Sequence, residues 1–339
     1  MHRSELTVDL GAVRHNVRVL LRTLAGAELW AVVKADGYGH GARDVAAAAL
    51  AEGASALCVA TAAEALALRG AFPEARILVM GPTSSDQVGA ARAAGLELAV
   101  VDGAAPDGVK VHLKLDTGMG RWGLGELPAA PAEVVGVMSH LASADCDPAF
   151  TERQVARFRE ATAGLAHLTR HIANSAGALR FPLARLDAAR CGIALYGLSP
   201  FGGDAGADDL RPVLGWRSHL ALVKRLGPGE STGYGRRFVA DAPAWIGIVP
   251  VGYADGFRRD LTGTSVRVGE ELCTVVGTVS MDAFAVRLER KLDAGTPVTI
   301  LGEGVPLERH AAHAGTIVYE LATGIQASPT RARRVVQNG

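Results

Sequence analysis

Ala31-Val32-Val33-Lys34-Ala35-Asp36-Gly37-Tyr38-Gly39-His40-Gly41 begins as a short apolar run and breaks into a glycine-studded turn, with a single lysine at the break. An amine at the end of a buried strand, beside backbone able to approach a phosphate closely, is what an enzyme needs to hold pyridoxal phosphate as a Schiff base. Taken alone, a strand-end lysine more often just carries its charge out to water along an apolar stem. The other strand ends decide between the two readings.

Working outward, an amphipathic helix with apolar Val13, Val17, Leu20, Leu21 and Leu24 comes first. Apolar runs of strand length then alternate with alanine-rich helical stretches. Eight runs end near Lys34, Ala60, Met80, Val101, Leu115, Ser139, Ala173 and Arg190. Their near-continuous apolarity suits parallel strands covered on both faces. Eight β/α units predict a TIM barrel, whose chemistry gathers at the carboxyl ends of its strands. Lys34, Arg121, His140, Asn174 with Ser175, and Arg190 with Gly192 all fall at or just past such ends. A doubly wound sheet would concentrate its site at one switch point and need fewer of them.

Beyond the polar, glycine-rich Gly202 to Asp209 the pattern changes to short alternating runs, Ser218 to Arg225, Ala244 to Val251, Ser265 to Val268, Thr274 to Val279 and Pro297 to Leu301. Helical stretches disappear apart from a final turn near Val318 to Leu321. The fold class is therefore α/β, a TIM (β/α)8 barrel over residues 7–209 followed by a mostly antiparallel C-terminal β domain over residues 210–339, which residues 1–6 are candidates to join.

Composition sets the limits. The chain has 339 residues, 49% hydrophobic and 21% charged, enough for one large and one smaller core. Lysine plus arginine and aspartate plus glutamate both total 35, so no overall field favours nucleic acid, and Arg331 to Arg334 is too short to supply one. The N-terminus lacks a signal-peptide pattern, and no apolar run is long enough to span a membrane, so the expected location is cytoplasmic. Cys58, Cys146, Cys191 and Cys273 form no Cys-x-x-Cys pair and read as buried thiols.

Two motifs are rejected. Gly118-Met119-Gly120-Arg121-Trp122-Gly123 fits Gly-x-Gly-x-x-Gly, but the next strand runs into His140 instead of the acidic residue a dinucleotide site requires. Those glycines let Arg121 reach from a tight turn, its fork suited to a carboxylate. His167 and His171 have His-x-x-x-His spacing without the adjacent glutamate or a third ligand, so no metal is expected. Arg190, inside Ala189-Arg190-Cys191-Gly192-Ile193-Ala194-Leu195-Tyr196-Gly197, needs a specific partner in so apolar a segment.

Taken in order, these segments, together with Lys114 to Arg121, His171 to Ser175, Gly233-Tyr234-Gly235, Gly252 to Gly256, Met281-Asp282 and Thr316 to Glu320, resemble alanine racemase, the fold-type III pyridoxal phosphate enzymes. The resemblance covers nearly the whole chain. It implies a barrel followed by a β domain, a head-to-tail homodimer with shared active sites, an amino-acid substrate, and D-alanine supplied for peptidoglycan. Lys34 would be the Schiff-base lysine and one catalytic base, and Tyr234 of the partner subunit the other. Tyr38, Ser175, Gly192, Ile193 and Tyr319 would hold the phosphate, with Asn174 beside them. Arg190 would face the pyridine nitrogen, and His140 with Arg190 would stabilise the tyrosine as phenolate. Arg121 and Met281 would meet the substrate carboxylate, Tyr253 and Tyr319 would narrow the entrance, and Asp282 would support that face. Lys114 lies where some family members carry a carbamylated lysine that orients the arginine.

Three departures concern the dimer contact and the entrance. Ile325 to Arg331 keeps only the last arginine of the family's usual Arg-Val-Pro-Arg, Thr278 stands where an arginine is common, and Ala283 where a glutamine is common. Two alternatives differ in function. One is a racemase of serine or of several amino acids, since a methyl-sized change in a pocket shifts preference by only about 1–3 kcal/mol. The other is a non-catalytic pyridoxal phosphate carrier, which would resemble the barrel alone.

Overall fold

A computed structural model describes residues 2–130 and 132–338. Strand β1 (Glu5–Asp9) leads into the helix Leu10–Leu24, whose Val13, Val17, Leu20 and Leu24 are buried as the apolar spacing requires. Eight strands follow: β2 (Glu28–Val32), β3 (Ala56–Val59), β4 (Arg76–Val79), β5 (Glu97–Val100), β6 (Val111–Lys114), β7 (Val134–Met138), β8 (Thr169–His171) and β9 (Ala188–Cys191). All pair in parallel, in the order β8-β7-β6-β5-β4-β3-β2-β9. Strands β3, β5, β6 and β9 are buried at every position, as expected of strands covered on both faces. Asp187 N–H donates to the Arg170 carbonyl at 3.1 Å and Arg190 N–H to the Ala173 carbonyl at 3.0 Å, bringing the β9 side to the β8 side and nearly closing the barrel. The barrel forms one compact unit, Ala12–Phe201 with Ala205–Arg211.

The second unit comprises Met1–Gly11, Gly202–Asp204 and Pro212–Gly339. Its strands are β1, β10 (Leu214–His219), β11 (Leu222–Leu226), β12 (Ser231–Thr232), β13 (Phe238–Val239), β14 (Ala244–Val249), β15 (Ser265–Val268), β16 (Glu271–Val276), β17 (Phe284–Leu288), β18 (Pro297–Leu301) and β19 (Arg333–Gln337). Nine of them form one sheet in the order β11-β14-β17-β16-β15-β18-β10-β1-β19, while β12 and β13 make a separate hairpin. Every pair is antiparallel except β1 with β19. The run Ser218 to Arg225 is broken at Leu220 and Ala221, so it serves two strands. One helix was not foreseen: Leu307–Ala314 buries only Leu307, His310 and Ala311, and its two histidines hide the apolar stripe. A left-handed Gly315 ends it.

Asp255 fixes the chain ends of this unit. It is 1% exposed and accepts from Arg3 at 2.8 Å through each oxygen, from Arg331 Nε at 2.9 Å and from the Gly252 amide at 2.9 Å. Arg3 precedes β1 and Arg331 precedes β19, so one carboxylate ties both strands of the parallel pair to the Gly252–Gly256 turn. Asp255→Ala is expected to lower unfolding stability by about 2 kcal/mol, less than for a fully buried pair because both arginines reach water. A urea midpoint that falls with unchanged slope would agree; an unchanged midpoint would not.

Candidate active site

Lys34 stands just beyond β2, where the backbone enters an unusual turn. Ala35, Asp36, Gly37 and Tyr38 have φ of 51°, 50°, 62° and 53°, a single left-handed turn. For each non-glycine residue this costs about 1–2 kcal/mol, so the turn must be held by its surroundings. The Glu64 carboxylate, which also caps its own helix through Thr61, accepts from the Ala35 amide at 2.7 Å. Asp36 Oδ1 accepts from the Ala42 amide at 2.9 Å. A Cβ on Gly37 would lie 3.1 Å from the Ala42 backbone, so glycine serves both φ and space there.

The turn buries Tyr38, whose ring packs 4.8 Å from Tyr196 and whose hydroxyl reaches the backbone after β9. A Cβ on Gly192 would sit 2.4 Å from the Tyr38 hydroxyl, so only glycine admits the phenol. Ser175 Oγ accepts from the Gly192 amide at 3.0 Å and the Ala194 amide at 3.3 Å. Asn174 caps the short helix Ser175–Arg180 by accepting from the Gly177 amide at 2.9 Å. Tyr38, Asn174, Ser175, Gly192 and Ile193 are thereby gathered into one cradle of hydroxyls and backbone.

Arg190, 2% exposed in β9, donates through Nη2 to the Ser139 carbonyl at 2.6 Å and to His140 Nδ1 at 3.3 Å. Through Nη1 it donates to His171 Nδ1 at 2.7 Å and the His171 carbonyl at 3.0 Å. Its buried Nε has no hydrogen-bond partner among the described residues. Burial pushes its pKa down to about 10, which leaves it a cation at neutral pH. The same burial, with Arg121 and Arg190 nearby, lowers the Lys34 pKa against the opposing pull of Glu64. His140 is held well below its ordinary range by burial and by Arg190, Lys114, Arg121 and Lys34, so it is a neutral ring. Burial, Arg190 and Arg121 bring Lys114 down to about 8. Lys114 Nζ and the Arg121 guanidinium lie 5.5 and 5.0 Å from the same Trp122 ring. The Gly118–Gly120 turn is wound around Asp116, which accepts from all three backbone amides.

His167 is exposed whereas His171 is buried beside Arg190, so the pair shares no ligand site. No cluster of three or more His, Cys, Asp and Glu suited to a metal occurs among the described residues. A groove of about 820 Å³ lined by Cys146, Val155, Phe181, Leu183 and Phe201 contains none of these site residues. Cys146 is exposed, contrary to its expected burial, because it sits in a turn between Asp145 and Asp147. No helix among the described residues is long and apolar enough to cross a membrane.

The β unit carries the other expected residues. Tyr234, Tyr253 and Met281 are exposed at 73%, 42% and 53%. Their loops are joined: Tyr253 N–H donates to the Ser280 carbonyl, Ala254 N–H to the Met281 carbonyl, and Thr278 Oγ1 to the Tyr234 carbonyl at 2.8 Å. Thr278, noted in the sequence only as a departure, is thus a support of the tyrosine turn. Asp282 pairs with Arg331 at 2.9 Å. Tyr319 is half-buried on the helix Val318–Gly324. Sequence reading missed Glu64, Trp122, Glu97 and His112; only Glu64 left a signal, as the third residue after Thr61 in a capping box.

Lys34, whose charge burial and the nearby arginines disfavour, stands just past the carboxyl end of a parallel barrel strand, where barrel enzymes carry their sites. The profile of the alanine racemase N-terminal domain matches residues 8–200, and that of the C-terminal domain residues 213–335. The alanine racemase of Symbiobacterium thermophilum is 40% identical over 94% of this chain and 93% of its own. That of Lactiplantibacillus plantarum is 38% identical over 96% of each. The crystal structure of the alanine racemase from D-cycloserine-producing Streptomyces lavendulae superposes with a TM-score of 0.93 at 35% identity, covering 100% of this chain and 98% of that one. The Bacillus anthracis enzyme with bound L-Ala-P gives 0.87 at 31%, covering 100% and 96%. The chain belongs to the alanine racemase family, and it is an amino-acid isomerase.

Proposed function

We propose that this chain interconverts L-alanine and D-alanine with pyridoxal 5′-phosphate held at Lys34, and that Lys34 and the partner subunit's Tyr234 act as the two bases. The product D-alanine would supply peptidoglycan from the cytoplasm. The observation that carries this reading is Lys34 itself, an amine of lowered pKa at a strand end beside the buried Arg190. The residues present fit the cofactor: only glycine at position 192 leaves room for the Tyr38 hydroxyl, and Arg190 Nε is buried without a hydrogen-bond partner among the described residues. When bound, the cofactor supplies a carbonyl carbon for the lysine and a conjugated ring that stabilises negative charge at the substrate α-carbon.

The chain's own residues do the rest. Tyr38, Ser175, the Gly192 and Ile193 backbone and Tyr319 would hold the phosphate, while Asn174 caps the helix that begins at Ser175. Arg190 would present a permanent positive charge to the ring nitrogen, and Arg121 with the partner's Met281 would hold the substrate carboxylate. Racemisation needs a base on each face of the α-carbon, because the proton leaves one side and returns on the other. Lys34 serves one face, where burial and the fields of Arg121 and Arg190 disfavour its charged form. Tyr234 would serve the other. His140, itself neutral with Nδ1 accepting from Arg190, is left to donate from Nε2. Exposure of Tyr234, Tyr253 and Met281 on joined loops supports a surface covered by a second subunit, in a head-to-tail homodimer. Purified protein should show the cofactor's absorbance band and abolish the circular dichroism of added L-alanine; bound cofactor with the L-alanine signal unchanged would leave only a carrier.

Two cations facing one Trp122 ring also support carbamylation of Lys114, which would replace a positive charge next to Arg121 with an acceptor for it. Carbon dioxide reacts with the neutral amine, so the modified fraction should grow as bicarbonate buffer is raised through about pH 8. Intact-protein mass gives the check, and an unmodified mass throughout would exclude it.

A further inference from the structure

Arg190 has no carboxylate in contact among the described residues, yet a line of buried groups leads from it to one. Its Nη1 donates to His171 Nδ1 at 2.7 Å, His171 Nε2 lies 2.9 Å from His112 Nδ1, and His112 Nε2 lies 2.9 Å from Glu97 Oε2. Both histidines are fully buried, and Trp30 packs on both rings with centroids 4.4 and 5.6 Å away. A Cβ on Gly136 would come within 2.2 Å of His112 Nδ1, the atom that meets His171, so the line exists because β7 has glycine there. Arg76 closes the end, donating to both Glu97 oxygens at 3.2 Å.

The two ends dictate the protons between them. A guanidinium only donates, so His171 Nδ1 must accept and its proton must sit on Nε2. That proton is donated to His112 Nδ1, which forces the His112 proton onto Nε2. A carboxylate only accepts, and it completes the line. Burial and Arg190 hold His171 well below its ordinary range, and burial lowers His112 despite Glu97, so both rings are neutral. Although burial opposes it, hydrogen bonds from His112 and Arg76 keep Glu97 ionised, with a pKa of about 2.

We propose that Glu97 is the remote counter-ion of Arg190, coupled to it by a one-way chain of hydrogen bonds through His171 and His112 that sets how strongly Arg190 donates into the active site. Each neutral imidazole passes polarisation to the next, so the carboxylate draws the Arg190 N–H toward β8 and away from the cofactor ring. Glu97, His112 and His171 are then positioning residues for Arg190. This rests on the function proposed above.

The test is nitrogen NMR of histidine-labelled protein, with and without added pyridoxal phosphate. In the unmodified protein His112 and His171 should both be neutral and protonated on Nε2 from about pH 6 to about pH 9. In Glu97→Gln the amide oxygen still accepts from His112 Nε2, so the tautomers set by Arg190 should persist, but the negative charge is gone and the absorption maximum of the bound cofactor should shift. The kcat for L-alanine should fall about tenfold with KM within about twofold. Glu28→Gln removes a carboxylate 3.5 Å from the same Arg76 but outside the chain, and should leave all of these unchanged. A charged or Nδ1-protonated ring in the unmodified protein would overturn the proposal, and that spectrum decides even where Glu97→Gln fails to fold. So would a folded Glu97→Gln that keeps both the absorption maximum of its cofactor and its kcat. Protein that binds no cofactor contradicts the proposed function, whereas the tautomers still report on the chain.

Discussion

Tyr234→Phe is expected to lower kcat for both alanine enantiomers by about a thousandfold while the absorbance of the bound cofactor stays as it was. The loss is this large because the phenol oxygen would be the only proton acceptor on one face of the substrate, and phenylalanine keeps the ring without it. Folding should be untouched. The hydroxyl makes no hydrogen bond among the described residues, and the turn is set by Gly233 and Gly235 at φ of 79° and 69° and by Thr278. A Cβ on Gly233 would fall 2.9 Å from the Thr278 amide, so the turn keeps its place whatever ring it carries. Steady-state racemisation in both directions gives the check. Activity within about twofold of the unsubstituted enzyme would remove the tyrosine from the mechanism and favour a carrier of the cofactor.

Lys34→Ala should be the more damaging change, with turnover down about ten-thousandfold or more, because it removes both the attachment point and the base on the other face. Cofactor should wash out on gel filtration instead of remaining with the protein. Stability should move the other way. An amine with a lowered pKa is one whose charge the fold resists, here through burial and the fields of Arg121 and Arg190. Deleting it relieves that conflict and is expected to raise stability slightly. A melting temperature that falls substantially would show that Lys34 is needed for packing, and the loss of activity would then have a structural cause.

Much of the barrel was legible because parallel strands covered on both faces leave near-continuous apolar runs, and a charge that ends such a run, as Lys34 and Arg190 do, stands out. The β unit was harder to read. Pairing of β1 with β19 joins residues from opposite ends of the chain and leaves no local trace, and the helix Leu307–Ala314 is too short and too rich in histidine to show its stripe. Within the site, glycines 37, 39 and 41 marked a turn, but nothing marked Ala35 and Asp36 as left-handed; the Glu64 carboxylate, from another β/α unit, helps to hold them there. The line Glu97–His112–His171–Arg190 was illegible for a similar reason. Its members lie on separate strands, and only the barrel register places them side by side. Asp282, read as support for the substrate face, is engaged by Arg331, so the one arginine kept from the family's tail pattern braces this turn.

The most direct measurement mixes the two inactive proteins. Lys34→Ala and Tyr234→Phe subunits are dissociated, combined in equal amounts, reassociated and assayed for racemisation of L-alanine. If each site takes its lysine from one subunit and its tyrosine from the other, every mixed dimer has one site with both defects and one with neither. Random pairing makes about half the dimers mixed, so about one quarter of the original activity should return. No recovery from a mixture shown to contain mixed dimers would mean that both bases belong to the same subunit, or that one of them is not a base.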